Sequence, residues 1–153
     1  MRIRHVLVCL SLALGGLAAA CSGDGSSAPS EGGELALFDQ TPDVTLDVGI
    51  SEFRFDPETL ELPAGQLVSL SITNDGATEH DFTIKGFAGE VAFRLDGDPP
   101  SNDRSDGEDV HIALRPGTSA ELRVRAGEPG EYELYCAVSG HRRAGMRTTL
   151  TVH

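Results

Sequence analysis

Three features of the sequence predict an all-β fold, a Greek-key β-sandwich or barrel of about eight strands. From Asp43 onward, apolar and polar residues alternate in short runs, the period of half-buried antiparallel strands. Turn residues interrupt these runs roughly every 8 to 12 residues, the rhythm of a sandwich or barrel. No segment carries a convincing 3.6-residue apolar stripe, and no internal repeat is present.

The chain begins differently. Arg2 and Arg4 precede an apolar run from Val6 to Leu17, then Ala18, Ala19 and Ala20. This is the pattern of a secretory signal peptide over residues 1–20, and the run is short for a bilayer span. Cys21 follows directly, as the acylated cysteine of a bacterial lipobox does, although Ala18 stands where Leu is usual three residues before it. Ordinary cleavage nearby, leaving Cys21 unused, is the alternative. Two or more acyl chains on Cys21 would anchor the protein stably to a membrane surface, which a single chain does not.

Residues 21–42 are expected to be a flexible, lipid-anchored linker. The stretch Ser22–Glu34 is rich in Gly and Ser with no apolar periodicity, and such a tether reaches about 20 Å root-mean-square. Whether Leu35, Leu37 and Phe38 pack on the domain is left open by the pattern. The domain itself is expected over 43–153, and the 153-residue chain has room for one domain with its own core.

Val44, Leu46, Val48 and Ile50 alternate as a first strand. Phe53 and Phe55 precede Asp56-Pro57, and Leu60 and Leu62 lead into the turn Pro63-Ala64-Gly65. Val68, Leu70 and Ile72 form a further strand, ending at Asn74-Asp75-Gly76. His80 then opens a run through Phe82 and Ile84 that closes at Lys85-Gly86. Residues 96–109 read as a solvated acidic loop, and Pro99 and Pro100 break the spacing a helix-loop-helix calcium site needs. Val110, Ile112 and Leu114 alternate, as do Ala120, Leu122 and Val124; His111 has the opposite parity and faces outward. Gly127 to Gly130 turn the chain into the run Tyr132, Leu134, Cys136, and Thr148, Leu150 and Val152 close the sheet.

The chemistry concentrates after that last turn. Cys136, His141 and Met146 are spaced Cys-x4-His-x4-Met, so a thiolate, an imidazole and a thioether leave one strand end together. Two imidazoles and a thiolate in a trigonal plane, with a distant axial Met, make a blue-copper electron-transfer site. His80, at the start of its strand, is the candidate for the second imidazole. Each residue alone has a bland reading: a surface His, a core Met, a buried Cys. The joint pattern favours ligation. Once Cys9 leaves with the signal and Cys21 is acylated, Cys136 is a lone thiol in an exported, oxidising setting, which metal ligation would protect.

In this order, one His followed by Cys, His and Met near the C-terminus, the sequence resembles the cupredoxin family of plastocyanins, azurins and their bacterial lipoprotein relatives, over roughly residues 43–153. The resemblance implies one type 1 copper ion held by His80, Cys136, His141 and Met146. It implies that Asp81, where plastocyanin and azurin carry Asn, ties the two ligand loops together, a role Asn74 could share. It also makes residues 96–109 a variable insertion between the two halves of the barrel. The Cys-x4-His-x4-Met loop is longer than the corresponding loops of plastocyanins and azurins, so the axial distance and the potential are not placed by analogy.

The function expected is an electron shuttle, exported and held at the extracytoplasmic face of the cell membrane through Cys21, monomeric, and exchanging electrons with redox partner proteins of the envelope. His141, on the loop, is the expected electron port, and Tyr135 a lateral route. Arg142 and Arg143 beside the port would orient an anionic partner. The alternative is a copper carrier, chaperone or storage protein, which uses the same ligands; one Met in the mature chain, Met146, and no Cys-x-x-Cys speak against a Cu(I) relay. Catalysis is not expected, because further coppers need more histidines than His80, His111, His141 and His153 provide. The formal charge of −12, which deepens to −14 without Arg2 and Arg4, argues against nucleic acid as a partner.

Overall fold

The computed structural model describes residues 36–96, 104–105 and 109–153. The expected signal peptide, Cys21, most of the expected linker and most of the acidic stretch 96–109 lie outside the described residues.

Eleven strands are found among the described residues: β1 (Val44–Ser51), β2 (Arg54–Asp56), β3 (Leu60–Leu62), β4 (Leu67–Asn74), β5 (His80–Lys85), β6 (Gly89–Asp96), β7 (Arg104–Ser105), β8 (Asp109–Leu114), β9 (Ser119–Ala126), β10 (Gly130–Tyr135) and β11 (Arg147–Val152). Eight of them have six residues or more, the number the alternation predicted. One sheet runs β2-β1-β4-β9-β6 and the other β3-β11-β10-β5-β8-β7. β1 lies parallel to β4, and β3 to β11; the other pairs are antiparallel. Strand β6 was not expected; its Val91, Phe93 and Leu95 are only half-buried, and Ala92 on its other face is fully buried.

The alternation works as the period of two requires. Along β9, Ala120, Leu122, Val124 and Ala126 are buried while the residues between them are half-exposed. They meet Val48, Ile50, Leu70 and Ile72 of the same sheet and Phe82, Ile84, Ile112, Leu114, Leu134 and Leu150 of the other in one core. Full burial of each such side chain contributes roughly 1.5–3 kcal/mol, so this core dominates the stability of the domain. Because β5 is central, it is buried on both faces from His80 to Ile84.

The packed domain begins earlier than Asp43. Residues 36–38 form a helical turn, and Leu37 is buried against Leu67 and Ala92 on the outer face of the first sheet. The Arg123 guanidinium donates to the Leu37 and Gln40 carbonyls at 3.3 and 2.6 Å, and Arg94 lies 3.9 Å over the Phe38 ring. Asp43 closes the entry, its carboxylate accepting from the Leu67 amide at 2.9 Å. Residues 36–42 are thus docked, because an apolar Leu and a row of arginines on β9 give them something to bind.

Strand ends collect at one pole. Ile50 pairs with Asn74, His80 with Leu114, and Tyr135 with Arg147, so the loops after β1, β4, β8 and β10 leave the sandwich side by side.

Candidate metal centre

Asn74 builds the first of the two loops that carry the centre. Its side-chain oxygen accepts from the Gly76 amide at 2.9 Å, and its side-chain nitrogen donates to the Thr78 and Leu114 carbonyls, both at 2.8 Å. This fully buried amide folds residues 74–78 into a compact turn and pins the turn to β8. His80 follows at the head of β5, paired with Leu114 of β8. It shares parity with Phe82 and Ile84 and is fully buried.

The second loop is closed by its own backbone. The Cys136 amide donates to the Met146 carbonyl at 3.1 Å, and the Met146 amide to the His141 carbonyl at 3.0 Å. Gly140 and Gly145 take φ values of +90° and +103°, which side chains larger than hydrogen rarely adopt. Cys136 and Met146 are fully buried, whereas His141 is half-buried.

Three donors converge. Cys136 Sγ lies 3.4 Å from His141 Nδ1 and 4.0 Å from His80 Nδ1, and the three ligand atoms fall within 4.8 Å of one another. Metal bonds of roughly 2.0 Å to nitrogen and 2.3 Å to sulfur place N and S about 3.7 Å apart in a trigonal plane, so the observed spacings bracket that geometry. The donor set, one thiolate and two imidazoles, suits copper. Met146 is held next to both other loop donors through its backbone.

Electrostatics favour a cation that brings its own charge. Burial pushes the Cys136 thiol up, partly offset by the Asp81 amide, which donates to Cys136 Sγ at 3.3 Å. Burial, and then the neighbouring His141, holds His80 below the ordinary histidine range. The imidazole of His80 is thus neutral and able to ligate, whereas the Cys136 thiol keeps its proton until an arriving metal displaces it.

The expected ligands His80, Cys136 and His141 therefore come together. The tie between the two loops differs from the expectation in kind. Asp81 makes it through its backbone amide on the thiolate; its carboxylate faces outward, 3.4 Å from His111 Nε2. Asn74 does not share that role, since its bonds go to residues 76, 78 and 114. Arg142 is not a free charge either: its guanidinium pairs with Glu133 and stacks 4.4 Å over the Tyr135 ring. Arg143 is exposed.

Glu52, Phe53 and Thr78 also reach the centre, and none was nominated from the sequence. Glu52 Oε1 accepts from the Ala77 amide at 2.5 Å, a contact that, with His80 contributing, holds the carboxyl below its usual range. The same oxygen is 3.8 Å from His80 Nε2, and Thr78 Oγ1 is 3.4 Å from that nitrogen. The Phe53 ring stands edge-on to His141, centroids 5.3 Å apart at 88°. The sequence carries no signal for them: the turn lacks the Gly or Asn that the positive φ of Phe53 would ordinarily draw.

Residues 14–152 match the family model of the cupredoxin-like domain. The chain belongs to the cupredoxin family. This cupredoxin is 30% identical over 109 residues to the copper-resistant cuproprotein CopI of Rubrivivax gelatinosus, covering 67% of this chain and 62% of that protein. It is 26% identical over 129 residues to auracyanin-B of Chloroflexus aurantiacus, covering 76% of this chain and 55% of that one. The chain thus spans little more than half the length of the curated relatives it matches. A solved structure of auracyanin B superposes with a TM-score of 0.58 at 25% identity, covering 74% of this chain and 91% of that chain. A multicopper oxidase from Campylobacter jejuni superposes at 0.56 and 17% identity over 74% of this chain but 30% of its own, a likeness of fold alone.

Proposed function

We propose that this cupredoxin is an exported blue copper protein that carries single electrons, in which His80, Cys136 and His141 would hold one type 1 copper ion and Met146 would be a weaker fourth ligand. The observation that carries the reading is the convergence of Cys136 Sγ, His80 Nδ1 and His141 Nδ1 at one strand-end pole. Bound copper supplies a one-electron couple at neutral pH. The protein's part is to keep the donors still. His80 is fixed by strand pairing to Leu114 and by the Asn74 turn, and the Cys136–Met146 loop is closed by its own amides. Donors that hardly move leave little reorganisation between the two oxidation states.

The half-buried His141 is the electron port, and Tyr135, next to Cys136 under Arg142, is a lateral route. Residues 1–20 serve as a signal peptide and Cys21 as a lipid anchor, with the remaining linker holding the domain at the extracytoplasmic face of the membrane, where it meets its redox partners as a monomer. Among the described residues, the three-donor cluster at this pole is the one group of His, Cys, Asp and Glu side chains close enough to share an ion.

A second reading is copper handling for resistance, favoured by the likeness to a relative named as a copper-resistant cuproprotein. Adding one equivalent of Cu(II) to the purified soluble domain tests the copper site: an intense visible thiolate-to-copper band with a narrow paramagnetic hyperfine splitting is expected, and its absence sinks the reading. Fast electron self-exchange then selects the shuttle, whereas ready passage of copper to an apo acceptor selects the handling role.

A further inference from the structure

Besides the two ligand loops, a third segment touches the centre. Ser51 pairs with Arg54, so Glu52 and Phe53 are the two residues of the β1–β2 hairpin turn. Such turns favour glycine or asparagine because they need positive φ, and Phe53 sits at +62°, an unfavourable conformation for a bulky residue. Burial does not explain the phenylalanine, since Phe53 is 47% exposed, the one large exposed hydrophobic residue among those described. What its ring does touch is the His141 imidazole, edge-on.

The neighbouring residue reaches the other imidazole. His80 turns Nδ1 toward Cys136, which leaves Nε2 as the outer nitrogen, facing Thr78 Oγ1 and the Glu52 carboxylate at 3.4 and 3.8 Å. Gly76 leaves the room for this approach. A Cβ there would stand 2.9 Å from Glu52 Oε1 and 3.0 Å from His80 Nε2. An oxygen on the outer N–H of a ligating histidine fixes its ring and raises its basicity.

We propose that the Glu52–Phe53 hairpin tip is a positioning element for both imidazoles: the Glu52 carboxylate orients His80 and favours the more highly charged Cu(II), while the Phe53 ring limits the swing of His141. The proposal rests on the copper reading above. Neither residue touches the ion; both act through the histidines. Glu52 does so from a half-solvated position, which places its effect at the low end of what such outer partners contribute.

Two variants test it. Glu52→Gln keeps an oxygen for the Ala77 amide but removes the charge; it should weaken Cu(II) relative to Cu(I) binding about tenfold. That ratio corresponds to an upward shift in potential of about 59 mV for a one-electron couple. Phe53→Gly removes the ring and suits the backbone, so the metal-free domain should melt at the same temperature or higher. The copper-loaded variant should nevertheless show an altered paramagnetic spectrum and severalfold faster loss of copper to a chelator, with Phe53→Tyr restoring both. In the metal-free wild type, a nuclear Overhauser contact between the Phe53 and His141 rings is expected. A blue wild-type protein whose two variants keep its potential, spectrum and rate of copper loss overturns the role of the tip alone. A wild type that never turns blue overturns the copper reading first.

Discussion

At the scale of single residues, two of the converging donors, His80 and Cys136, have their ordinary protonation disturbed by where they sit. His80 is fully buried, and burial together with His141 depresses its proton affinity in the folded domain. In the unfolded chain it titrates near the ordinary value of about 6.5. As pH falls below that value the unfolded chain takes up the proton first, so stability is lost until the folded His80 protonates in its turn. The metal-free domain should therefore melt at progressively lower temperature between about pH 7 and pH 5, above the range where ordinary carboxylates titrate. Replacing His80 with Asn should flatten that slope in circular dichroism melts. An unchanged slope would assign the loss to another group. The cluster's chemistry was legible residue by residue, since thiol, imidazole and thioether in fixed order are a local pattern. The groups that tune it were not: Glu52 meets its hydrogen-bond partner Ala77 across 25 residues, and no spacing rule links them.

At the scale of elements, the period of two decides which side chains enter the core, and it also aims the centre. His80 points inward because Phe82 and Ile84 do, and for the same reason Asp81 turns its carboxylate outward toward His111. A residue whose family role is expected of its side chain thus ties the loops by its amide, which faces Cys136 whatever the side chain. The docking of residues 36–42 belongs to this scale too. Leu37 fills a small apolar site made by Leu67 and Ala92 on the far face of the sheet. Leu37→Ala should cost about 2 kcal/mol, the low end for a buried leucine, because the site is shallow and can relax. For a domain of this size that is a fall in melting temperature of roughly 10 °C. Copper spectra should stay unchanged, since Leu67 and the pole where Asn74 ends are opposite ends of one strand, about 23 Å apart. A shifted spectrum would mean the N-terminal turn and the centre are coupled.

At the scale of the whole molecule, a strongly negative protein presents an exposed Arg143 beside the half-buried His141. Arg142 already spends its charge on Glu133 and its face on Tyr135, so if His141 is the port proposed above, Arg143 is the residue expected to steer an anionic reactant. Reduction of the copper-loaded protein by hexacyanoferrate(II) should slow severalfold in Arg143→Glu at about 0.01 M ionic strength, where the screening length is about 30 Å. The difference should vanish above about 0.15 M salt, where it is about 8 Å. Equal rates at low salt would remove Arg143 from the docking surface.

By itself the sequence determined the class of fold and pointed to His80, Cys136 and His141, which the fold brings together. Alternation is written into each strand locally, and Cys136, His141 and Met146 are neighbours in one loop whose order carries its own chemical meaning. Only the tertiary structure decided who stands around those donors. The parallel pairing of β1 with β4 sets the Glu52–Phe53 turn beside the Asn74 loop, and the N-terminal turn finds its site on a sheet face built from three other strands. Such meetings depend on register and strand order, which arise from the burial of all the inner faces at once and leave no trace in the spacing of any one segment.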